Sequence, residues 1–270
     1  MAHWPDGRIQ RLFNIRLPII QAPMAGSSTT EMAIAVAVAG GLGSLPSAQM
    51  TPAQLTEALT KFRAATSAPV NVNFFCHTPA GNDPLVDRQW RKRLEAYYIQ
   101  FGIDLEVEVA SANRASFDDA YCSVVEALRP EVVSFHFGLP SYLLLDRVKR
   151  AGAKIISSAT TVREAVWLEA HGCDAVIAMG VEAGGHRGNF LTDDMSAQVG
   201  TISLLPQVVD AVEVPVIAAG GIADGRGIVA AFSLGAAAVQ IGTAFLFSPE
   251  AKVSKIHREA WKIPPTTGPP

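Results

Sequence analysis

Eight short apolar runs, each followed by a stretch of helical pattern, constrain the fold of this chain more than any other feature. The runs are apolar at nearly every position rather than at alternate positions, which is typical of parallel strands covered on both faces. We place the strands at 17–22, 42–45, 70–75, 132–135, 154–157, 175–178, 215–218 and 238–241. Helices are expected at 31–39, 51–63, 142–151, 161–171, 201–212, 225–234 and 249–262.

Eight strands with helices between them predict an α/β fold of one domain over residues 1–270, the (β/α)₈ or TIM barrel. The 270 residues divided by eight give about 34 residues for each strand–helix unit. A doubly wound open sheet is the structural alternative, and the count of eight favours the barrel.

Residues 76–131, between the third and fourth strands, break this alternation. They contain Trp90, Tyr97, Tyr98, Phe101 and many charges, with little β pattern. We expect an inserted helical segment here, which is either a cap over the mouth of the barrel or an extra layer on its side.

Charge and cysteine content narrow the classes of function. Twenty-two Lys and Arg against 25 Asp and Glu give a net charge of −3, so there is no basic field to attract nucleic acid. No apolar run reaches the roughly 18 residues of a membrane span, and residues 1–11 lack the apolar stretch of a signal peptide. Three widely spaced cysteines form neither a disulfide framework nor a metal site. We therefore expect a cytoplasmic protein without membrane, nucleic-acid or metal partners.

Glycines concentrate where a barrel of this kind carries its active site, at the carboxyl ends of the strands. Gly184, Gly185, Gly220, Gly221 and Gly242 follow the sixth, seventh and eighth strands. Backbone N–H groups can approach a phosphate closely where no Cβ intervenes. The pattern predicts a phosphate-bearing ligand, and FMN, a sugar phosphate or a nucleotide would all fit it.

Four segments, in chain order, resemble the motifs of the nitronate monooxygenases, formerly called 2-nitropropane dioxygenases. They are PIIQAPM at 18–24, SFHFG at 134–138, GVEAGGHRG at 180–188 and PVIAAGGIADG at 215–225. The resemblance extends from about residue 10 to 250 and implies a TIM barrel that binds FMN noncovalently. It also implies that O₂ oxidises small alkyl nitronates, or nitroalkanes, to a carbonyl compound and nitrite.

The resemblance further implies roles for individual residues. His136 matches the catalytic histidine of the family. The residues implied to contact FMN are Ala22, Pro23 and Met24 beside the flavin ring, Asn73 through its amide, Gly184 and Gly221 on the ribityl and phosphate side, and Gln240, Ile241, Gly242 and Thr243 at the phosphate-holding end of the eighth strand.

Histidine chemistry suits the role implied for His136. Oxidation of a nitroalkane requires removal of an acidic α-proton, which imidazole can accept near neutral pH. With a preformed nitronate no base is needed, and His136 would hold the anion instead. His186 is a weaker candidate for substrate binding, with a loop-fixing hydrogen bond as its alternative role. We expect His77 to line the mouth and Cys76 to be inert.

Two departures from the family pattern bear on activity. Met179 is also implied to contact FMN, but it stands where the family carries Gln. A thioether has no N–H to donate to the flavin, although it can pack on a ring. Family members also continue well beyond the end of this chain, so we expect a short member whose substrate specificity is the property most affected.

Two alternatives stay open from the sequence. One is an FMN-dependent NAD(P)H oxidoreductase of the enoyl-ACP reductase or quinone reductase type, since these share much of the first and fourth motifs. The other is a truncated paralogue with weak activity. The segment SFHFG at 134–138 favours the nitronate reaction. An apolar side of the barrel could support a homodimer.

Overall fold

A ring of eight parallel strands forms the centre of the computed structural model, which describes residues 4–78, 83–107 and 115–261. The strands are β1 (Ile19–Gln21), β2 (Gly43–Pro46), β3 (Val70–Phe75), β4 (Val132–His136), β5 (Lys154–Ala159), β6 (Ala175–Met179), β7 (Val216–Ala219) and β8 (Ala238–Ile241). Each strand pairs with its neighbour in sequence from β2 to β8, and β8 returns to pair with β1. This order confirms the TIM barrel and excludes the doubly wound sheet.

The described residues form ten α-helices, most of which lie on the outside of the ring. They are α1 (Arg8–Phe13), α2 (Thr30–Val38), α3 (Pro52–Ala65), α4 (Pro84–Phe101), α5 (Asp119–Leu128), α6 (Tyr142–Arg150), α7 (Val162–Ala170), α8 (Thr201–Ala211), α9 (Gly225–Ser233) and α10 (Lys255–Ala260). Capping side chains fix several of their starts. Thr51 and Gln54 form a reciprocal capping box before α3, which satisfies two backbone donors at once.

The last helix is shorter than predicted. Residues 243–247 form a 3₁₀ turn, and α10 begins only after Ser254, whose hydroxyl accepts a hydrogen bond from the N–H of His257 at 3.2 Å. The prediction of a helix from residue 249 was therefore wrong at its start.

A side chain completes the seam between β1 and β2, where the ladder of backbone hydrogen bonds is shortest. Only an isolated bridge joins Ile20 to Leu42. Beyond this bridge the side-chain amide of Gln21 makes the hydrogen bonds to β2. Its Nε2 donates to the carbonyl of Ser44 and its Oε1 accepts from the N–H of Ser44, both at 3.2 Å. Gln21 is fully buried, so a side-chain amide substitutes here for a neighbouring backbone.

Two hydrophobic cores separate the inward and outward faces of the strands. The outer core lies between the strands and the helices and includes Val133, Phe135, Val239 and Ile241. The inner core fills the amino-terminal half of the barrel and includes Ile20, Val132, Ile156, Ile177 and Ile217. Because side chains alternate along a strand, the members of each core identify the face to which every strand residue points.

Helix α1 contributes to the inner core. Its Ile9 and Phe13 are buried in one cluster with the inward strand residues. This helix has only six residues and is not among the predicted ones. The i, i+4 spacing of Ile9 and Phe13 is the signal that could have revealed it.

The connection between β3 and β4 contains two helices of different character, and residues 79–82 and 108–114 of it lie outside the described residues. Helix α5 buries Tyr121, Cys122 and Val125 in the outer core, as the other barrel helices do. Helix α4 buries none of its residues. The presence of an inserted helical segment is thus confirmed, while its role as a cap or a side layer stays a prediction.

Within the described part of the chain, no helix combines the length and the apolar character needed to cross a bilayer.

Candidate active site

Polar and aromatic residues occupy the inward positions at the carboxyl ends of the strands. Since Val132, Ile156, Ile177 and Ala238 belong to the inner core, alternation also turns the side chains further along those strands inward. These are His136 on β4, Ser158 on β5, Met179 on β6 and Gln240 on β8. The sequence therefore builds a barrel that is apolar inside at one end and polar at the other.

Both ring nitrogens of His136 have hydrogen-bond partners. Nδ1 lies 2.6 Å from the hydroxyl of Ser158, and Nε2 lies 3.0 Å from the backbone carbonyl of His186. The register pairs Phe135 with Ser157, which brings His136 and Ser158 side by side on the inward face. His186 thus meets the predicted catalytic residue through its backbone.

Burial controls the charge of His136. Removal of the imidazole from water lowers its pKa to about 4, although the carbonyl of His186 opposes the shift. The ring is therefore neutral at pH 7, since the charged form is the one that desolvation penalises. A neutral imidazole can accept a proton.

An aromatic cluster surrounds this histidine. The ring of Phe137 lies 4.5 Å from that of His136, and the ring of Phe75 lies 5.6 Å from it, centroid to centroid. His77 and His186 complete the cluster around Phe75 and Phe137. Phe137 has a φ of +67°, a left-handed backbone that is rare for a bulky residue and that often marks a functional site.

A buried carboxylate anchors the loop that follows β6. Glu164 on α7 is 0% exposed, and one of its oxygens accepts hydrogen bonds from the N–H groups of Phe190 and Leu191 at 2.8 and 3.3 Å. Its other oxygen accepts from the N–H and the hydroxyl of Thr160, both at 2.7 Å. The loop that carries His186 is therefore bound firmly at its far end.

The near end of the same loop is held by two further charged side chains. The carboxylate of Glu182 accepts hydrogen bonds from the N–H of Thr201 at 2.8 Å and from the Thr201 hydroxyl at 2.9 Å. The guanidinium of Arg187 donates to the carbonyls of Gly180 and Met179. These contacts tie the loop to the start of α8 and to the end of β6.

The glycines after β6, β7 and β8 leave backbone accessible at the mouth. A Cβ placed on Gly184 or Gly185 would meet nothing within 4 Å, so this stretch of backbone faces open space. Gly220 has a φ of +119°, and a Cβ there would lie 2.7 Å from the hydroxyl of Thr201. Such an edge fits a phosphate that is held by backbone N–H groups.

Two further observations fit a bound flavin nucleotide. Gln240 Oε1 is buried and has no hydrogen-bond partner among the described residues, so a donor on a bound ligand would satisfy it. A Cβ on Gly242 would lie 3.5 Å from the Cβ of Ala22 and 3.6 Å from the sulfur of Met24. The predicted contacts from the ends of β1 and β8 are therefore neighbours.

Several other residues predicted to bind the cofactor are buried or already have partners within the protein. Asn73 is buried, and its amide nitrogen donates to the Ser134 hydroxyl at 3.0 Å. The Ile241 side chain lies in the outer core, which leaves only its backbone for a ligand. Met179 is buried at the end of β6 beside Ala219. Pro23, Gly221 and Thr243 lie in the loops after β1, β7 and β8.

Sequence reasoning missed Ser158, Glu164 and Phe137. The signal for Ser158 was the pair Ser157–Ser158 within an otherwise apolar strand. Glu164 had no comparable signal, because its partners at 190 and 191 are far along the chain.

Burial raises the pKa of the Cys76 thiol, which opposes formation of the reactive thiolate. Among the described residues no group of His, Cys, Asp or Glu side chains could hold a metal ion.

A (β/α)₈ barrel that gathers its polar groups at the carboxyl ends of its strands is an enzyme scaffold. The model of one family, described as "Nitronate monooxygenase", matches residues 7–266. The chain belongs to the nitronate monooxygenase family, an oxidoreductase family whose members are flavoproteins.

Individual relatives agree with this assignment. A nitronate monooxygenase of Paraburkholderia phytofirmans is 43% identical over 250 residues, which cover 92% of this chain and 68% of the relative. One from Pseudomonas aeruginosa is 42% identical over 258 residues, with coverage of 95% and 74%. The structure of a nitroalkane oxidase from Streptomyces ansochromogenes superposes with a TM-score of 0.85 at 38% identity, covering 95% of this chain and 73% of that one. FabK from Thermotoga maritima gives a TM-score of 0.72 at 33% identity, with coverage of 96% and 67%.

Proposed function

We propose that this enzyme uses FMN and O₂ to oxidise small alkyl nitronates, and the corresponding nitroalkanes, to carbonyl compounds and nitrite. The observation that supports this most directly is His136, a buried and neutral imidazole at the mouth of the barrel. The names of the relatives, nitronate monooxygenase and nitroalkane oxidase, support the same class of substrate.

His136 would remove the α-proton of a nitroalkane. Since its pKa lies near 4, the ring carries no charge at pH 7 and can take up that proton. A nitronate has already lost the proton and requires only binding. A neutral ring would hold the anion through an N–H hydrogen bond rather than through charge.

The aromatic side chains beside His136 would exclude water from the substrate. Phe75 and Phe137 contact its ring from different directions, and their apolar surfaces suit a short alkyl chain. Exclusion of water also strengthens the hydrogen bonds that remain in the site.

The mouth of the barrel would hold FMN with the residues that the family motifs indicate. The glycine edge, including Gly184, Gly221 and Gly242, would receive the phosphate side, and Thr243 lies beside it. Ala22, Pro23 and Met24 would lie beside the ring, with Asn73, Met179 and Gln240 on the inward face of the barrel. The chemistry that bound FMN would supply is the transfer of electrons from the substrate to O₂.

A test of the reaction uses purified protein supplied with FMN. We expect nitrite release and O₂ uptake with propyl 1-nitronate, and retention of a flavin absorbance band after gel filtration. The resemblance to FabK at 33% identity makes NAD(P)H the matched comparison. Rapid NAD(P)H oxidation without turnover of the nitronate would favour the reductase alternative and contradict our proposal.

A variant tests the role of His136. In H136N the rate with nitroethane should fall by about 100-fold or more, as expected for loss of a general base, while the rate with ethyl nitronate should change only a few-fold. The control is H171N, which alters an exposed histidine stacked on Trp167. Equal losses on both substrates would show that His136 is not the base.

A further inference from the structure

Ser158 stands out because it is buried against the catalytic candidate, and its hydroxyl has no other hydrogen-bond partner among the described residues. It lies on β5, is 4% exposed, and its hydroxyl is 2.6 Å from Nδ1 of His136. The neighbouring Ser157 points to the other face, where its hydroxyl donates to the carbonyls of Phe135 and Gly138 at 3.1 and 3.0 Å. The two serines thus form a natural pair for comparison.

The partners of His136 determine which nitrogen carries the hydrogen. A backbone carbonyl can only accept, so Nε2, which lies 3.0 Å from the carbonyl of His186, carries it. In a neutral ring the other nitrogen is then an acceptor. Ser158 therefore donates its hydroxyl hydrogen to Nδ1.

The loop after β6 holds the ring in this arrangement. A Cβ on Gly188 would lie 2.5 Å from Cε1 of His136 and 2.9 Å from the hydroxyl of Ser158, so the backbone of the loop packs directly on the pair. The carbonyl of His186 occupies Nε2. Both nitrogens are thus engaged, and neither is available to a substrate until one partner leaves.

We propose that Ser158 is a positioning residue that holds Nδ1 of His136 in both tautomers of the ring, so that Nε2 can serve as the base. A substrate that displaces the carbonyl of His186 uncovers Nε2. The ring then gives its Nε2 hydrogen to a water molecule and receives one at Nδ1 from the Ser158 hydroxyl. The hydroxyl takes a hydrogen back from water, so the net charge does not change. Ser158 turns from donor to acceptor, which a hydroxyl can do. This assignment rests on the proposed function.

The first experiment needs no turnover. The ¹⁵N shifts of the histidine rings at pH 7, with His136 assigned by comparison with H136N, report the tautomer directly. We expect Nδ1 without hydrogen in the wild type and in S158T. In S158A the carbonyl of His186 still keeps the hydrogen on Nε2, but the shift of Nδ1 should change because its hydrogen bond from Ser158 is lost. The matched control S157A removes an equally buried hydroxyl whose partners are the carbonyls of Phe135 and Gly138. It should leave the hydrogen bond from Ser158 to Nδ1 of His136, and hence the Nδ1 signature of that bond, in place.

The second experiment measures the catalytic consequence. In S158A the kcat for nitroethane should fall by about 10- to 100-fold, which is less than the loss of about 10²- to 10⁴-fold expected when the base itself is removed. The KM and the rate with ethyl nitronate should change little, and S158T should recover most of the activity. S157A should keep the wild-type pH profile.

The two experiments separate failure of this inference from failure of the proposed function. An Nδ1–H tautomer in the wild type, or unchanged His136 shifts in S158A, overturns the positioning role whatever the protein oxidises. If the shifts change as expected but neither nitroethane nor its nitronate is oxidised, the reaction is wrong and the hydrogen-bond assignment stands. Loss of activity in S158T equal to that in S158A would contradict the requirement for a hydroxyl.

Discussion

His136 illustrates how strongly position can alter a residue. An exposed imidazole titrates near pH 6.5, whereas this one lies in the barrel between a hydroxyl, a carbonyl and two phenyl rings. The hydrogen bond to the carbonyl of His186 raises the pKa, but desolvation lowers it by more, so the pKa falls to about 4. The residue consequently stays neutral across the whole neutral range, and its low pKa makes it a weaker base than an exposed imidazole.

The same shift makes stability depend on pH. Between about pH 6.5 and 4 the unfolded chain protonates this histidine and the folded chain does not, so the free energy of unfolding falls as the pH falls. From pH 7 to 4.5 we expect the wild type to lose about 2 kcal/mol more than H136N, at 1.36 kcal/mol for each unit of pKa difference. Urea unfolding of both proteins at several pH values measures this difference. Parallel pH dependences would contradict the burial of a neutral ring.

At the scale of elements, the seam between β1 and β2 is the place where the barrel depends on one side chain. Three residues of β1 face a strand with which they share a single bridge. The Gln21 amide supplies a donor and an acceptor to the backbone of Ser44. A buried N–H and carbonyl without partners would otherwise each cost about 1–3 kcal/mol.

Replacement of Gln21 by Leu should therefore destabilise the protein severely. We expect Q21L to lower the free energy of unfolding by about 2–4 kcal/mol, because it leaves both groups of Ser44 unsatisfied in a dry environment. Q207L provides the control, since Gln207 lies exposed on α8 and should change stability by no more than about 0.5 kcal/mol. Similar midpoints of urea unfolding for Q21L and the wild type would refute the role of the amide.

The sequence located the strands well for a physical reason. Each strand is a short apolar run between Gly, Pro or charged residues, and its ends in the structure differ from the predicted ends by at most two residues. His136 could be predicted from the sequence because it directly follows such an apolar run. The hydrogen-bond partners of Gln21, Ser158 and Glu164 could not be predicted, because they lie on other strands or loops. No local sequence pattern indicates a contact of that kind.

At the scale of the whole molecule, the amino end of the barrel carries an apolar core that stabilises the fold, and the carboxyl end carries the candidate active site. At the amino end, Ile9 and Phe13 from α1 join the inward apolar residues of the strands in one core. At the carboxyl end, the inward positions carry His136, Ser158 and Gln240. Stability and chemistry can therefore be altered independently, as in other barrels of this architecture.

A substitution in α1 tests this separation. F13A should reduce the free energy of unfolding by about 3–5 kcal/mol, because it removes a buried ring and leaves a cavity. The kcat of the folded protein with ethyl nitronate should stay within about twofold of the wild type. The control F101A makes the same change on α4, where Phe101 is 69% exposed, and should cost no more than about 0.5 kcal/mol. A large loss of kcat in F13A without unfolding would contradict the separation.

The position of β1 between β8 and β2 affects the order in which this molecule can assemble. Ile20 pairs with Gln240, so the ring closes only after the last strand has left the ribosome. Contacts so distant in sequence slow folding. Until then β7 presents an unpaired edge, and β1 has only its seam with β2. During synthesis these two edges are the surfaces at which neighbouring nascent chains can pair and aggregate.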